Sequence, residues 1–244
     1  MLTQHDEETL VRTGGRLRAA YLIQQGQYTL EIANTDGPAL WALLPDGYER
    51  AMRDMMLSIE RRLKEKNFAE EESRLATIAQ NEWMARGKVW RRKVVSRARR
   101  ASRMGIELPE GLLVVGYAGS VEALLEQVID KVHLLEQYEG RIPGGVRDLV
   151  EEGREIAAGL STADAKQEAA RLALLPQATR AYHADKGRLY FAIKAIHDAA
   201  RELHAEDSEK AARYNLSILH RRPSRSASSL AAKEVPAAAS ADAS

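Results

Sequence analysis

The chain has 244 residues and no cysteine, which excludes disulfides, thiolate metal sites and thiol catalysis. Hydrophobic residues make up 45% and aromatic residues only 5%, a composition typical of helix-on-helix packing. The longest uncharged apolar stretch, 111–121, is too short to cross a bilayer as a helix, and the polar, acidic first residues carry no secretory signal. We therefore expect a soluble, cytoplasmic protein.

The first 45 residues predict a helix followed by a loop region. A helix is expected over 5–25, with Gly14-Gly15 as its weak point. The short alternation of apolar residues in 28–32 indicates an extended segment, and 34–38 indicates a turn.

Residues 46–104 predict one long helix or a pair of helices. Asp46 and Glu49 have the spacing of a capped helix N-terminus. Apolar residues then recur every three or four positions, with one slip in the pattern: Met52, Met56, Ile59 and Leu63, followed by Phe68, Leu75, Ile78 and Ala79. The pattern leaves open whether Gly87 breaks the helix.

Residues 105–222 predict a bundle of further helices. Ser120 is expected to cap a helix with an apolar face of Val121, Leu124, Leu125, Val128, Ile129, Val132 and Leu135. A turn at 140–145 leads to a shorter helix bearing Leu149, Ile156 and Leu160, and Ser161 and Asp164 indicate a new helix start. Pro176 is expected to kink or end that helix. The last helix, expected to run towards Leu219, has a stripe of Leu189, Ile193, Ile196, Ala200 and Leu203.

The predicted fold class is all-α, either a multi-helix bundle or an elongated coiled-coil-like protein. The alternative is a small sheet that pairs 28–32 with the apolar stretch 112–115. Residues 223–244 are rich in Ser, Ala and Arg and hold almost no large apolar residue, so a disordered C-terminal tail is predicted.

The charge of the chain is concentrated in one segment. Residues 86–103, the basic segment, contain nine Lys or Arg and no acid; since the whole chain carries +1, the rest carries −8. On a helical wheel, Trp90, Val94, Ala98 and Ala101 form an apolar side. The opposite side holds the candidate partner-binding residues: Lys88, Arg92, Lys93, Arg99, Arg100 and Arg103.

Three kinds of partner suit this basic amphipathic helix. One is an acidic patch of the same protein or of another copy, such as 70–72 or the acids of 151–155. Another is nucleic acid, whose phosphates the guanidinium groups would neutralise. The third is an anionic membrane surface, with Trp90 buried at the headgroup boundary.

The histidines do not predict a metal site. His183, His197 and His204 are spaced by 14 and 7 residues, with Tyr190 between them, and this spacing lacks both the i, i+4 pair and the Glu-x-x-His pattern of helical metal sites. We expect partly exposed histidines at the edges of helix contacts, and His133 on the outward side of its helix. No catalytic residue, metal or cofactor is predicted.

The first functional hypothesis is a non-enzymatic structural or adaptor protein that self-associates or binds a protein partner. The alternative is a nucleic-acid-binding accessory protein that uses 86–103, above all Arg92, Arg99, Arg100 and Arg103. A third is an enzyme with a crevice around His183, His197 and Tyr190. No small-molecule substrate is evident from the residues.

Overall fold

The computed structural model describes residues 5–221, which form helices and connecting segments with no strand among them. This confirms the all-α fold class, and the sheet of 28–32 with 112–115 is absent from the described part. The predicted disordered tail, 223–244, lies outside the described residues. The α-helices are α1 Glu7–Gly15, α2 Ala19–Asp36, α3 Pro38–Trp41, α4 Tyr48–Arg103, α5 Glu110–Leu113, α6 Val121–Gln137, α7 Arg147–Ala169, α8 Leu175–Leu203 and α9 Ser208–Arg213.

The N-terminal prediction of one helix over 5–25 is wrong. α1 ends at Gly15, α2 begins at Ala19, and α2 continues through the segment 28–32 that was expected to be extended. The reason is packing: Leu22, Leu30 and Ala33 lie buried on one side of α2, so the helical period prevails over the local alternation.

The long central helix is continuous. α4 begins at Tyr48, after Gly47 rather than Asp46, and the Glu49 carboxylate accepts hydrogen bonds from Asn34 and Arg53 instead of forming the expected cap. Gly87 does not break the helix. It lies in a tight contact, where the position of a Cβ is 3.0 Å from the Leu124 side chain.

The helix start predicted at Ser161 and Asp164 is wrong. Residues 161–164 lie inside α7, because Leu160 and Ala163 continue its buried face. At the predicted kink or end near Pro176, a π-helical turn, Ala170–Leu174, separates α7 from α8, which begins one residue before the proline. The regular α-helix is therefore interrupted beside Pro176, which has no backbone N–H to donate, and then resumes.

The last helix is shorter than expected. α8 ends at Leu203, not near Leu219, and α9 and the 3-10 turn Ser217–His220 follow. Tyr214 and Ile218 of this returning chain are buried.

The chain forms two compact units, of which the first comprises 5–61 and 181–221 of the described residues. Its core contains the predicted methionine-rich face of α4 and most of the predicted stripe of α8. α1 crosses α8 very closely: a Cβ on Gly187 would lie 2.2 Å from the Leu10 carbonyl oxygen, and one on Gly14 would lie 1.9 Å from the His183 carbonyl oxygen. Gly14, one of the two glycines at the predicted weak point, thus allows a backbone contact.

The second unit comprises 62–180. Its core packs the apolar side of the basic segment against α6 and α7, and the Trp90 Nε1 donates a hydrogen bond to the Leu149 carbonyl oxygen at 2.9 Å. Not every residue of the predicted apolar faces is buried. Ile129 of α6 is exposed, as are Phe68, Leu75 and Ile78 of α4.

The glycine crossing of the first unit gives a stability prediction. Gly187→Ala should lower the free energy of unfolding by about 2 kcal/mol, because its methyl group meets backbone that cannot rotate aside. Gly140→Ala is the matched control, since nothing lies within 4 Å of its Cβ position. Urea unfolding followed by circular dichroism measures both variants, and equal midpoints would contradict the close contact.

Candidate polyanion-binding site

The basic segment divides along its helix as the wheel predicts. Trp90, Val94, Ala98 and Ala101 are buried in the core of the second unit. All six candidate partner-binding residues are exposed: Lys88, Arg92, Lys93, Arg99, Arg100 and Arg103. Burial of the apolar side therefore turns the cationic side outward.

Three cations of the segment pair with acids of α7. Arg86 lies 3.0 Å from Glu155, Lys93 lies 2.9 Å from Glu152, and Arg97 lies 2.7 Å from Asp148. The Arg97 hydrogen bonds hold the pKa of the Asp148 carboxyl below its usual value. Two of these acids, Glu152 and Glu155, belong to one of the two expected acidic patches. In the other patch, 70–72, Glu70 and Glu71 pair with cations of their own helix.

Two further cations of the segment bind backbone carbonyls of residues 111–117, which we call the 111–117 segment. The Arg99 Nε donates to the Leu113 oxygen at 2.9 Å, and the Arg91 Nη1 donates to the Val115 oxygen at 3.2 Å. Arg91 is 4% exposed, and its burial lowers the pKa of its guanidinium. It is thus a structural cation rather than part of the exposed face.

The remaining four cations of the basic segment have no carboxylate within 4.0 Å in the described part of the chain: Lys88, Arg92, Arg100 and Arg103. Arg92 bonds only to the carbonyl of Lys88 in its own helix, at 3.3 Å. These four are therefore free to bind an anionic partner.

A surface cleft of about 720 Å³ lies along this face. We call it the basic cleft; its lining is Arg92, Lys93, Val95, Ser96, Arg97, Arg99, Arg100, Arg103 and Val115, with no acidic residue. It brings together five of the six predicted residues and leaves out Lys88. The prediction missed Arg97, which on the wheel lies between the apolar and the basic sides.

The dimensions of the cationic face suit an extended polyanion. The Cα atoms of Lys88 and Arg103 are 15 positions apart, a helical rise of about 22 Å. Arg92, Arg99 and Arg103 fall within about 40° of one another around the axis. A nucleic-acid strand carries one phosphate per about 3.4 Å of duplex axis, so several phosphates would face this stripe.

The membrane alternative required Trp90 at the lipid boundary. Trp90 is instead fully buried and hydrogen-bonded in the core, so the apolar side of the basic segment is not available for insertion. Among residues 5–221, no helix has the length and apolar character needed to cross a bilayer.

The histidines lie apart from one another. His183 and His197 are 14 residues apart on α8, a rise of about 21 Å, so they cannot share one ion. The described residues contain no group of three His, Asp or Glu able to hold a metal. His133 is exposed, as predicted, and His197 and His204 are partly buried at helix flanks. The third hypothesis, a crevice around His183, His197 and Tyr190, gains no support from this arrangement.

His204 has a structural partner in the first unit. Its Nε2 lies 2.7 Å from the Asp36 Oδ2, to which the Tyr214 hydroxyl donates at 2.6 Å. Burial raises the pKa of Asp36, but the hydrogen bonds from Tyr214 and His204 outweigh it and hold that pKa below the ordinary 3.8. The three side chains join the end of α2 to the chain that follows α8.

The chain matches no protein-family model, no curated protein and no solved structure. The candidate site therefore stands on its own geometry.

The Asp36 hydrogen bonds predict an acid-dependent stability. Because the folded-state pKa is lowered, the stabilisation is complete above the unfolded-state value of 3.8 and is lost as pH falls through the folded-state value. Asp36→Asn should cost about 1–3 kcal/mol at neutral pH, and the difference from wild type should shrink below about pH 4. Urea unfolding against pH tests this, with the exposed Asp54→Asn as control. A pH-independent difference would contradict it.

Proposed function

We propose that this protein is a non-enzymatic nucleic-acid-binding protein, whose basic cleft on α4 binds the phosphate backbone. The observation that carries the proposal is the lining of the cleft, which includes six basic side chains and no acid. Arg guanidinium groups suit phosphate because they donate two parallel hydrogen bonds to its oxygens.

The pairing of the nearby acids favours nucleic acid over an acidic surface of the same chain. The acids of α7 engage Arg86, Lys93 and Arg97, along one flank of the basic segment. Arg92, Arg100 and Arg103 have no carboxylate partner in residues 5–221, although the rest of the chain carries a net negative charge. Cations that the acidic remainder of the chain leaves unpaired are available to an external polyanion.

The proposal predicts strongly salt-dependent binding. The triple variant Arg92→Glu/Arg100→Glu/Arg103→Glu should bind a labelled oligonucleotide more weakly, and its slope of log affinity against log salt should fall by about 2–3, as each lost phosphate contact removes 0.7–0.9. Fluorescence anisotropy across a salt series measures both quantities.

The matched control carries the same change in net charge elsewhere. Arg50→Glu/Lys64→Glu/Arg201→Glu reverses three exposed cations outside the cleft. It should keep a slope close to that of the wild type. If both triple variants lose affinity equally, net charge and not the cleft governs binding, and the proposal fails.

A second candidate function is self-association, which the exposed apolar residues of α4 favour. Phe68 is 66% exposed, and Leu75 and Ile78 follow it after seven and three residues, so the three lie on one side of the helix. A recurrent apolar side that faces water marks an interaction surface. The seven-residue step is that of a helix pairing with another helix, such as α4 of a second copy.

Self-association predicts a mass that depends on these side chains. The wild type should behave as a dimer in light scattering after size exclusion, and Phe68→Gln/Leu75→Gln should be monomeric. Met104→Gln, at an exposed apolar residue outside this set, should remain dimeric. A wild-type protein that is monomeric at every concentration measured would reject this function while leaving nucleic-acid binding untouched.

A further inference from the structure

The aromatic side chain of Tyr117, in the second unit, is almost entirely exposed to solvent. Tyr117 is 89% exposed, more than any other large apolar or aromatic residue of the described chain. Exposure of a whole ring forgoes the stabilisation that its burial would give. An exposed tyrosine on a mobile loop is common. It indicates a binding role only where the backbone that carries it is held in place.

The backbone that carries Tyr117 is firmly held. Side chains of α4 and α6 donate hydrogen bonds to five carbonyls of the 111–117 segment: Lys131 to Gly111 and to Val114 at 2.8 Å, Arg99 to Leu113 at 2.9 Å, Arg91 to Val115 at 3.2 Å, and Gln127 to Tyr117 at 2.6 Å. Lys131 and Arg91 are only 5% and 4% exposed. Because buried cations are costly to leave unpaired, these contacts fix the segment.

The Tyr117 ring packs against Gly119. A Cβ placed on Gly119 would lie 2.7 Å from the Tyr117 hydroxyl oxygen and 2.9 Å from its Cε1. The ring therefore occupies the space that a side chain at 119 would take. Gly119 supports one side of the ring and the rest faces solvent.

The same segment borders the basic cleft. Val115 lines the cleft, and Arg99 both lines it and binds Leu113. Since Arg99 holds Leu113 and Arg91 holds Val115, the segment runs along α4 from the Arg99 level towards its N-terminal side. Tyr117 follows two residues later. The ring therefore belongs to the same hydrogen-bonded segment as Val115 of the cleft lining.

We propose that the basic cleft takes single-stranded nucleic acid, with phosphates on Arg92, Arg100 and Arg103 and one base stacked on Tyr117. This inference rests on the proposed function and narrows its ligand. Bases of a single strand are free to stack on an aromatic face, whereas those of a duplex are already stacked and paired. The arginines serve either ligand, but the ring serves the single strand alone.

The test compares single-stranded DNA, single-stranded RNA and duplex DNA by fluorescence anisotropy. Tyr117→Ala should weaken binding of the single strands about 5- to 150-fold, because stacking on one aromatic residue contributes that much, and should leave duplex binding unchanged. Tyr117→Phe, which keeps the ring, should bind like the wild type. Because Tyr117 is exposed, both variants should unfold at the wild-type temperature.

The outcomes separate this inference from the function on which it rests. If the arginine variant loses affinity and Tyr117→Ala does not, the stacking role is rejected and nucleic-acid binding stands. If Tyr117→Ala weakens duplex and single strands alike, or if Tyr117→Phe is as weak as alanine, stacking is also rejected. If no oligonucleotide binds the wild type, both proposals fail. A loss confined to one of the two single strands supports stacking and identifies the ligand as RNA or DNA.

Discussion

The burial of Trp90 determines where the charges of the basic segment lie. Its indole is fully buried and donates to the Leu149 carbonyl, which fixes the rotation of α4 against α7. A Cβ on Gly153 would lie 2.5 Å from the ring, so only glycine in α7 leaves room for it. Each residue of an α-helix is rotated by about 100° from the one before it, so this rotation sets where every side chain of the basic segment points. One flank of α4 faces the acids of α7, and the other flank faces the 111–117 segment. The remaining side faces water.

The cations of the segment consequently divide into two energetic classes. Arg91 is buried, as is Lys131 of α6. Removing such charges from water is unfavourable, and hydrogen bonds to backbone carbonyl oxygens offset this penalty. The pairs of Arg86, Lys93 and Arg97 with α7 are exposed, and exposed pairs contribute only about 0–1 kcal/mol. The buried cations are therefore structural, while the exposed ones exchange partners at little cost. Under the proposed function, a phosphate in the cleft would meet Arg92, Arg100 and Arg103 without displacing a carboxylate, and would compete only with weak pairs at Lys93 and Arg97.

The sequence predicted the features that depend on helical period and missed those that depend on tertiary contact. The apolar side of 86–103, the cap at Ser120 and the buried stripe of α8 follow from spacing alone, and all three are present. The same spacing placed Phe68, Leu75 and Ile78 on an apolar face of α4, but the period of a helix does not reveal whether another helix of the same chain covers that face. The extended segment at 28–32 and the helix start at 161 failed because local signals are weaker than a continuous buried face. The 111–117 segment lacked any periodic signal, since side chains distant in sequence determine its conformation.

Because the whole chain is nearly neutral, the proposed binding of a polyanion would depend on the local charge of the basic cleft. A net charge of +1 gives little long-range attraction, and at physiological salt the field of exposed charges falls off over about 8 Å. A polyanion therefore gains affinity only where cations are concentrated and acids are absent, which is the lining of the basic cleft. The excess acid elsewhere repels the same ligand from the remaining surface. If the proposed function holds, this segregation of charge would orient a strand along α4, beside the hydrogen-bonded 111–117 segment and its exposed ring.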